Sequence, residues 1–378
     1  MPSRTLSPIV VICGDPGGAN ALVPVIKHLH SEKKRDVIVF AYVQAIDIMN
    51  KNNILFSALD DHITNYDIQG ILQRNRPAII ITGTSFNAMD HEKKFIHAAH
   101  KLKIPCLAIL DFWTNYSLRF SDKQGDLKFV PDKIAIMDEV AYSEMIAEGF
   151  QPDTLLVTGQ PAFDDLADRK LNFNNERRMK IRDDFQIGAN ELFVVFVSQP
   201  LSMICGENES NPRFLGYTEK TVLKNLVTAL NKISQDSKKD IVLIVRPHPR
   251  EKLDNYEGIT SNFIRIIASW DGDPRDIVMA SDLVIGMNTE LLVEACYLGC
   301  IVVSIQPGLR FNDVLPTNHE GYSVPVYSKE KIIETIRMTL MDPDIRSEMK
   351  NKLKHFKQDG HATDRIVNTI NQMIGTSK

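Results

Sequence analysis

Gly286-Met287-Asn288-Thr289 stands between an apolar run, Leu283 to Ile285, and a stretch of helical spacing that carries Glu294. A glycine turn leading from a buried strand into a helix presents free N–H groups and a partial positive charge, which together favour an anion. Asn288 or Thr289 has the side chain of an N-cap. Glu294 follows one and a half turns on, along a helix that is otherwise apolar at Leu291, Ala295 and Leu298. Gly299 closes that helix, and 301–305 reads as the next strand. The pattern suggests a nucleoside diphosphate site. The turn at Met287, Asn288 and Thr289 would hold phosphate, and the Glu294 carboxylate would accept hydrogen bonds from two ribose hydroxyls.

Four further clusters follow strand-like runs. Gly14-Asp15-Pro16-Gly17-Gly18-Ala19-Asn20 lies between the run 9–13 and a helix. Glycines let a backbone approach a ligand closely and adopt positive φ, so Gly17 and Gly18 read as a cradle for substrate or phosphate oxygens. The bland alternative is a tight turn. The spacing is not GxGxxG and no acid ends the next strand, which argues against a dinucleotide. Thr82-Gly83-Thr84-Ser85 and Asp111-Phe112-Trp113-Thr114-Asn115-Tyr116 end the next strands. Asp111 is placed as a catalytic base would be; its aromatic neighbours either stack on a sugar or pack. Arg246-Pro247-His248-Pro249-Arg250-Glu251 follows the run IVLIV. Its prolines fix an extended loop, and its arginines and histidine concentrate donors for an anion. Arg246 and His248 would stabilise charge on a leaving group, unless the loop is simply solvated. His91, His97 and His100 share a helix, but no carboxylate completes a ligand set, so no metal site is expected.

The elements that must position these residues alternate from end to end. Apolar runs at 9–13, 37–42, 78–82, 106–110, 133–137 and 155–157, then 192–198, 241–246, 263–267, 283–286 and 301–305, are separated by helical stretches. Runs without polar alternation fit parallel strands covered on both faces. At 378 residues two domains are expected, and the pattern restarts near Glu191 after a polar stretch. The expected division is a Rossmann-like domain at 1–167, a linker at 168–190, a nucleotide-binding Rossmann-like domain at 191–355, and a terminal helix at 356–378 crossing back to the first. Two doubly wound α/β domains would face a cleft holding the site. A net charge of −4 gives no support for a nucleic-acid partner. No apolar run is long enough to span a membrane, and the start reads as a strand rather than a signal peptide. The five cysteines lack CxxC spacing and read as reduced thiols of a cytoplasmic protein.

With these residues in view, the chain resembles the GT-B superfamily, which holds nucleotide-sugar glycosyltransferases and the UDP-N-acetylglucosamine 2-epimerases. Residues 156–164, LVTGQPAFD, resemble the epimerase segment VTGNxxxD. The 286–299 segment resembles SGGxxEEAxxLGxP, and 359–367, DGHATDRIV, resembles a terminal DGxAxxRI helix. The tetrapeptide RPHP resembles capsule and teichoic-acid transferases. Three epimerase segments depart. HGDxxT is here Thr82-Gly83-Thr84-Ser85, without the acid. HxEAGxR is here Leu110-Asp111-Phe112-Trp113, keeping one carboxylate. HRREN is here Ser198-Gln199-Pro200-Leu201. An epimerase must remove and return a proton at the sugar C2, so these losses favour a transferase, which needs one base and donors for the leaving diphosphate.

The expected function is therefore a metal-independent glycosyltransferase of surface polysaccharide assembly, with Asp111 and His248 catalytic. Its donor would be a UDP- or CMP/CDP-linked sugar, and its acceptor a glycan or lipid-linked glycan, leaving peripheral membrane association open. No separate cofactor is expected. The alternatives are a 2-epimerase or sugar-nucleotide hydrolase, which needs no acceptor, and a non-catalytic nucleotide-sugar binding subunit.

Overall fold

Eleven of the apolar runs become strands, and the reason is their β-branched composition without polar alternation. The computed structural model describes residues 6–86, 89–356 and 359–376. The chain divides into two compact units, Met1–Asp165 with Asp359–Lys378, and Leu166–Gln358.

In the first unit β1 (Ile9–Cys13), β2 (Val37–Ala41), β3 (Ser57–Ala58), β4 (Ile79–Thr82), β5 (Cys106–Ile109), β6 (Lys133–Ile136) and β7 (Leu155–Val157) form one sheet. Their order is β3-β2-β1-β4-β5-β6-β7, and every pairing is parallel. The helix Pro16–Glu32 buries Leu22, Ile26 and Leu29 against it. The terminal helix Ala362–Thr376 adds Ile366, Val367 and Ile370 to the same core.

The second unit contains β8 (Leu192–Val197), β9 (Ile241–Arg246), β10 (Arg265–Ala268), β11 (Leu283–Gly286), β12 (Val302–Ile305) and β13 (Val324–Val326). They run parallel in the order β10-β9-β8-β11-β12-β13. In each sheet the order reverses once, between β1 and β4 and between β8 and β11. Loops leaving such a reversal diverge and open a crevice at the strands' carboxyl ends. The crevice of the first unit is bordered by Gly14–Gly18 and Thr82–Ser85, and that of the second by Gln199 and the 286–289 turn.

Two strands escaped the sequence reading: β3, of two residues, and β13, VPV, whose proline is tolerated because it lies at a sheet edge. The stretch read as a linker at 168–190 is instead helical. Leu166–Asn172 and Asn175–Asp184 are helices of the second unit. Their polar run is explained by ion pairs within that unit, Arg177 with Asp276 at 2.6 Å and Arg178 with Asp282 at 2.8 Å. Arg182, fully buried, donates to the carbonyls of Gly188 and Glu191.

Candidate functional site

In the first unit Asp111 lies two residues beyond the end of β5 and is buried. Its Oδ1 takes an ion pair from Arg119 at 2.5 Å and a hydrogen bond from Thr84 Oγ1 at 3.1 Å. Arg119 also donates to Thr84 Oγ1 at 2.9 Å and, through Nε, to the Thr114 carbonyl at 3.0 Å. Gln160 Nε2 holds the Asp111 carbonyl at 2.8 Å. Oδ2 has no hydrogen-bond partner among the described residues and faces Gly17. A Cβ placed on Gly17 would lie 2.1 Å from it. Gly17 is therefore glycine because the carboxylate passes where a side chain would begin. At Gly14 a Cβ would fall into the Tyr42 ring, 2.2 Å away. Close approach, not left-handed backbone, explains Gly14 and Gly17, since neither they nor Gly18 have positive φ. Gly17 and Gly18 also lie within the first turn of the helix Pro16–Glu32 rather than in a free loop. The aromatic neighbours of Asp111 pack. Trp113 is buried with Nε1 on Asp138 at 2.7 Å, and Tyr116 is buried with its hydroxyl on Glu144 at 2.6 Å.

A second carboxyl, Glu92, was missed in the sequence. It reaches Gly83 from the helix His91–Leu102, and its Oε1 would lie 3.5 Å from a Gly83 Cβ. Tyr42 donates to Oε2 and Ser85 to Oε1. Ser85 Oγ in turn accepts from the Gly14 and Asp15 N–H groups, at 3.2 and 2.8 Å. The hydroxyl has one donor and two lone pairs, so it is fully used. Glu92 thus fastens the glycine turn and has no open relay through Ser85. Burial pushes its carboxyl up to about 7, against the hydrogen bonds from Ser85 and Tyr42 that favour its charge. The signal was present: Glu92 interrupts the apolar face of Phe95, Ile96 and Ala99 at i, i+3, i+4 and i+7. His91 is buried against the Tyr42 ring, with centroids 4.5 Å apart. Among the described residues no group of three or more His, Cys, Asp or Glu could hold a metal ion.

In the second unit the helix Glu290–Tyr297 starts at the reversal, and Thr289 takes the N-cap position without a side-chain cap bond. Several expected ligands are already engaged. The Asn288 N–H donates to Gln199 Oε1 at 3.0 Å, so it is not open to phosphate. The Met287 side chain is fully buried in the core, and its carbonyl accepts from Ser304, which removes it as a side-chain ligand. Arg246 donates to the carbonyls of Asp271 at 2.5 Å, Gly272 at 2.7 Å and Ser269 at 3.3 Å. It braces the loop after β10 rather than projecting as an anion ligand. Glu294, read as the ribose ligand, is held by Arg275 through both oxygens, at 2.6 and 3.1 Å. The sequence could not show this, because Arg275 lies 19 residues earlier on the helix Pro274–Ala280. Glu294 is only 9% exposed, so a ribose could use only its remaining lone pairs. Asn288 Oδ1 is buried without a hydrogen-bond partner among the described residues. His248 is half-buried, and burial beside Arg250 pushes its imidazole down to about 4. It is therefore uncharged at neutral pH.

Residues 120–371 match the sequence profile of the UDP-N-acetylglucosamine 2-epimerase family. The chain belongs to the UDP-N-acetylglucosamine 2-epimerase family. No curated protein matches it by sequence. Among solved structures it resembles S. aureus MnaA with UDP, at 17% identity and a TM-score of 0.70 over 98% of this chain and 97% of that one. It also resembles UDP-GlcNAc 2-epimerase from Neisseria meningitidis bound to UDP-GlcNAc, at 15% identity and a TM-score of 0.69 over 96% and 99% of the two chains. A glycosyltransferase from Rickettsia africae ESF-5 shares the fold at 13% identity and a TM-score of 0.66, over 98% and 99%. The GT-B fold is thereby shown. The family match supports the epimerase-type alternative over the transferase expected from the missing acids. No helix among the described residues is long and apolar enough to cross a membrane.

Proposed function

We propose that this family member acts on a UDP-linked N-acetylhexosamine without an acceptor, by epimerase-type chemistry at C1 and C2. The first unit supplies Asp111 as the base, and the second holds the nucleotide. In this reading the C2 proton passes to Asp111 Oδ2 while the C1–O bond breaks with its electron pair leaving on UDP. A C1=C2 double bond remains. Return of a proton to C2 and of UDP or water to C1 completes epimerisation or hydrolysis. Thr289 and His248 serve the diphosphate, and Glu294 the ribose. No metal or separate cofactor enters the scheme. The observation that carries the reading is the unpartnered Oδ2 of Asp111, oriented by Arg119 and Thr84 in a chain of this family. A general base needs a fixed carboxylate with one free oxygen.

Transfer to a glycan acceptor is the second reading. It is favoured by the sealing of Glu92 beneath the glycine turn, which leaves Asp111 as the carboxylate with a free oxygen there. Incubation with UDP-N-acetylhexosamines in the absence of any acceptor separates the two. The epimerase-type reading expects a C2-altered sugar, free or UDP-linked. An intact donor that turns over only after a glycan fraction is added supports transfer.

A further inference from the structure

The 246–250 loop is held by a buried polar cluster outside the residues assigned above. Glu251 is 6% exposed. Its Oε2 accepts the His248 backbone N–H at 2.7 Å, and its own N–H donates to the His248 carbonyl at 2.8 Å. Its Oε1 accepts from Tyr256 at 2.6 Å and from Ser198 Oγ at 3.1 Å, and the Tyr256 and Ser198 hydroxyls lie 2.7 Å apart. Ser198 directly follows β8, so the cluster ties the end of β8 to the loop after β9. Within that loop the Arg250 N–H donates to His248 Nδ1 at 3.1 Å. An Nδ1 that accepts a hydrogen bond carries no proton, which puts the ring proton on Nε2. Nε2 has no partner among the described residues.

We propose that Glu251 is a positioning residue that holds His248 as a neutral imidazole, with its Nε2–H offered to a phosphate oxygen of the nucleotide. The proposal rests on the nucleotide assignment of the second unit. It specifies the anion donor expected at His248 from the sequence as an uncharged one. A neutral donor stabilises developing charge without titrating in the physiological range. The charged and titratable groups around it fit this state. Burial and then Arg250 disfavour a cation on His248, and burial, with a smaller push from Glu219 of the helix Glu219–Ser237, moves the Glu251 carboxyl up. Burial likewise keeps the Tyr256 hydroxyl protonated.

The test is ¹⁵N NMR of the histidine rings in the ligand-free full chain from pH 5.5 to 8, with His248 assigned through His248→Gln. The expected result is a neutral ring with its proton on Nε2 across the whole range. A doubly protonated ring at pH 6, or a proton on Nδ1, overturns the proposal. Glu251→Gln keeps an acceptor for the His248 N–H and should retain the tautomer. Glu251→Ala should mix the tautomers, move the ring's titration toward its ordinary value, and weaken UDP binding by ~10-fold in calorimetry, the scale of one hydrogen bond. Unchanged His248 signals in folded Glu251→Ala also overturn it. If that variant does not fold, the wild-type tautomer decides alone. The NMR result does not depend on turnover, so failure of the epimerase-type reading would leave it intact, and the reverse.

Discussion

Asp111 Oδ2 lies so close to the Gly17 backbone that no methyl group can be added there. Asp111→Asn keeps the shape and an acceptor for Arg119 and Thr84 but removes the base. UDP-sugar turnover should fall by ~10²–10⁴-fold, the usual worth of a general base, while calorimetric UDP affinity holds. Gly17→Ala is a sharper probe. Alanine favours a helix by about 1 kcal/mol over glycine, yet its Cβ would overlap Oδ2 at 2.1 Å. The steric term wins, and kcat should fall ~10²-fold, as for a catalytic group displaced by about 1 Å. Glu92 predicts a pH effect on stability instead. Its carboxyl is raised from 4.5 to about 7 by burial, so the folded state binds the proton more tightly than the unfolded one. Its contribution is full below about pH 4.5 and is lost as pH rises through 7, with a span on the order of 3 kcal/mol. Urea unfolding of Glu92→Gln should lack this slope between pH 5 and 8, and a slope equal to wild type would remove the assignment.

Among the elements, the terminal helix Ala362–Thr376 explains why two separated motifs travel together. Asp164, from 156–164, accepts the Ala362 and Thr363 N–H groups at 3.0 and 2.8 Å, capping a helix nearly 200 residues away in sequence. Arg365 donates to the Thr158 carbonyl at 2.7 Å and pairs with Asp359. In the same segment Gln160 holds the carbonyl of Asp111. These motifs therefore build the first unit and hold the Asp111 backbone in place. Asp164→Ala should lower stability by about 1–2 kcal/mol, the value of a lost N-cap. Amide exchange should accelerate first in the terminal helix, and protection equal to wild type there would contradict the capping role. Strand positions were legible because apolar runs of β-branched residues have few alternatives. The helices at 166–184 were not, because their charged faces look like a linker until Asp276 and Asp282 supply partners.

For the whole chain, the fold could be read from alternation of strands and helices together with loose motifs spread over nearly its full length. The chemistry could be read only in part. Asp111 stood out by following an apolar strand. Its partner Arg119, eight residues on, and Glu92, arriving from a helix face, depend on tertiary approach that spacing does not encode. The same holds for Arg246 and Glu294, whose apparent freedom ended at carbonyls and an arginine from other elements. The missing acids of the first unit pointed toward transfer, whereas the family match and the free oxygen of Asp111 point to proton removal at C2. That claim is tested most directly by incubating the protein with UDP-N-acetylglucosamine in D₂O, without acceptor, and following C2 by ¹H NMR and mass spectrometry. The account predicts deuterium at C2 of the recovered or released sugar, abolished in Asp111→Asn. Cleavage of the sugar–UDP bond with the C2 hydrogen fully retained would contradict it.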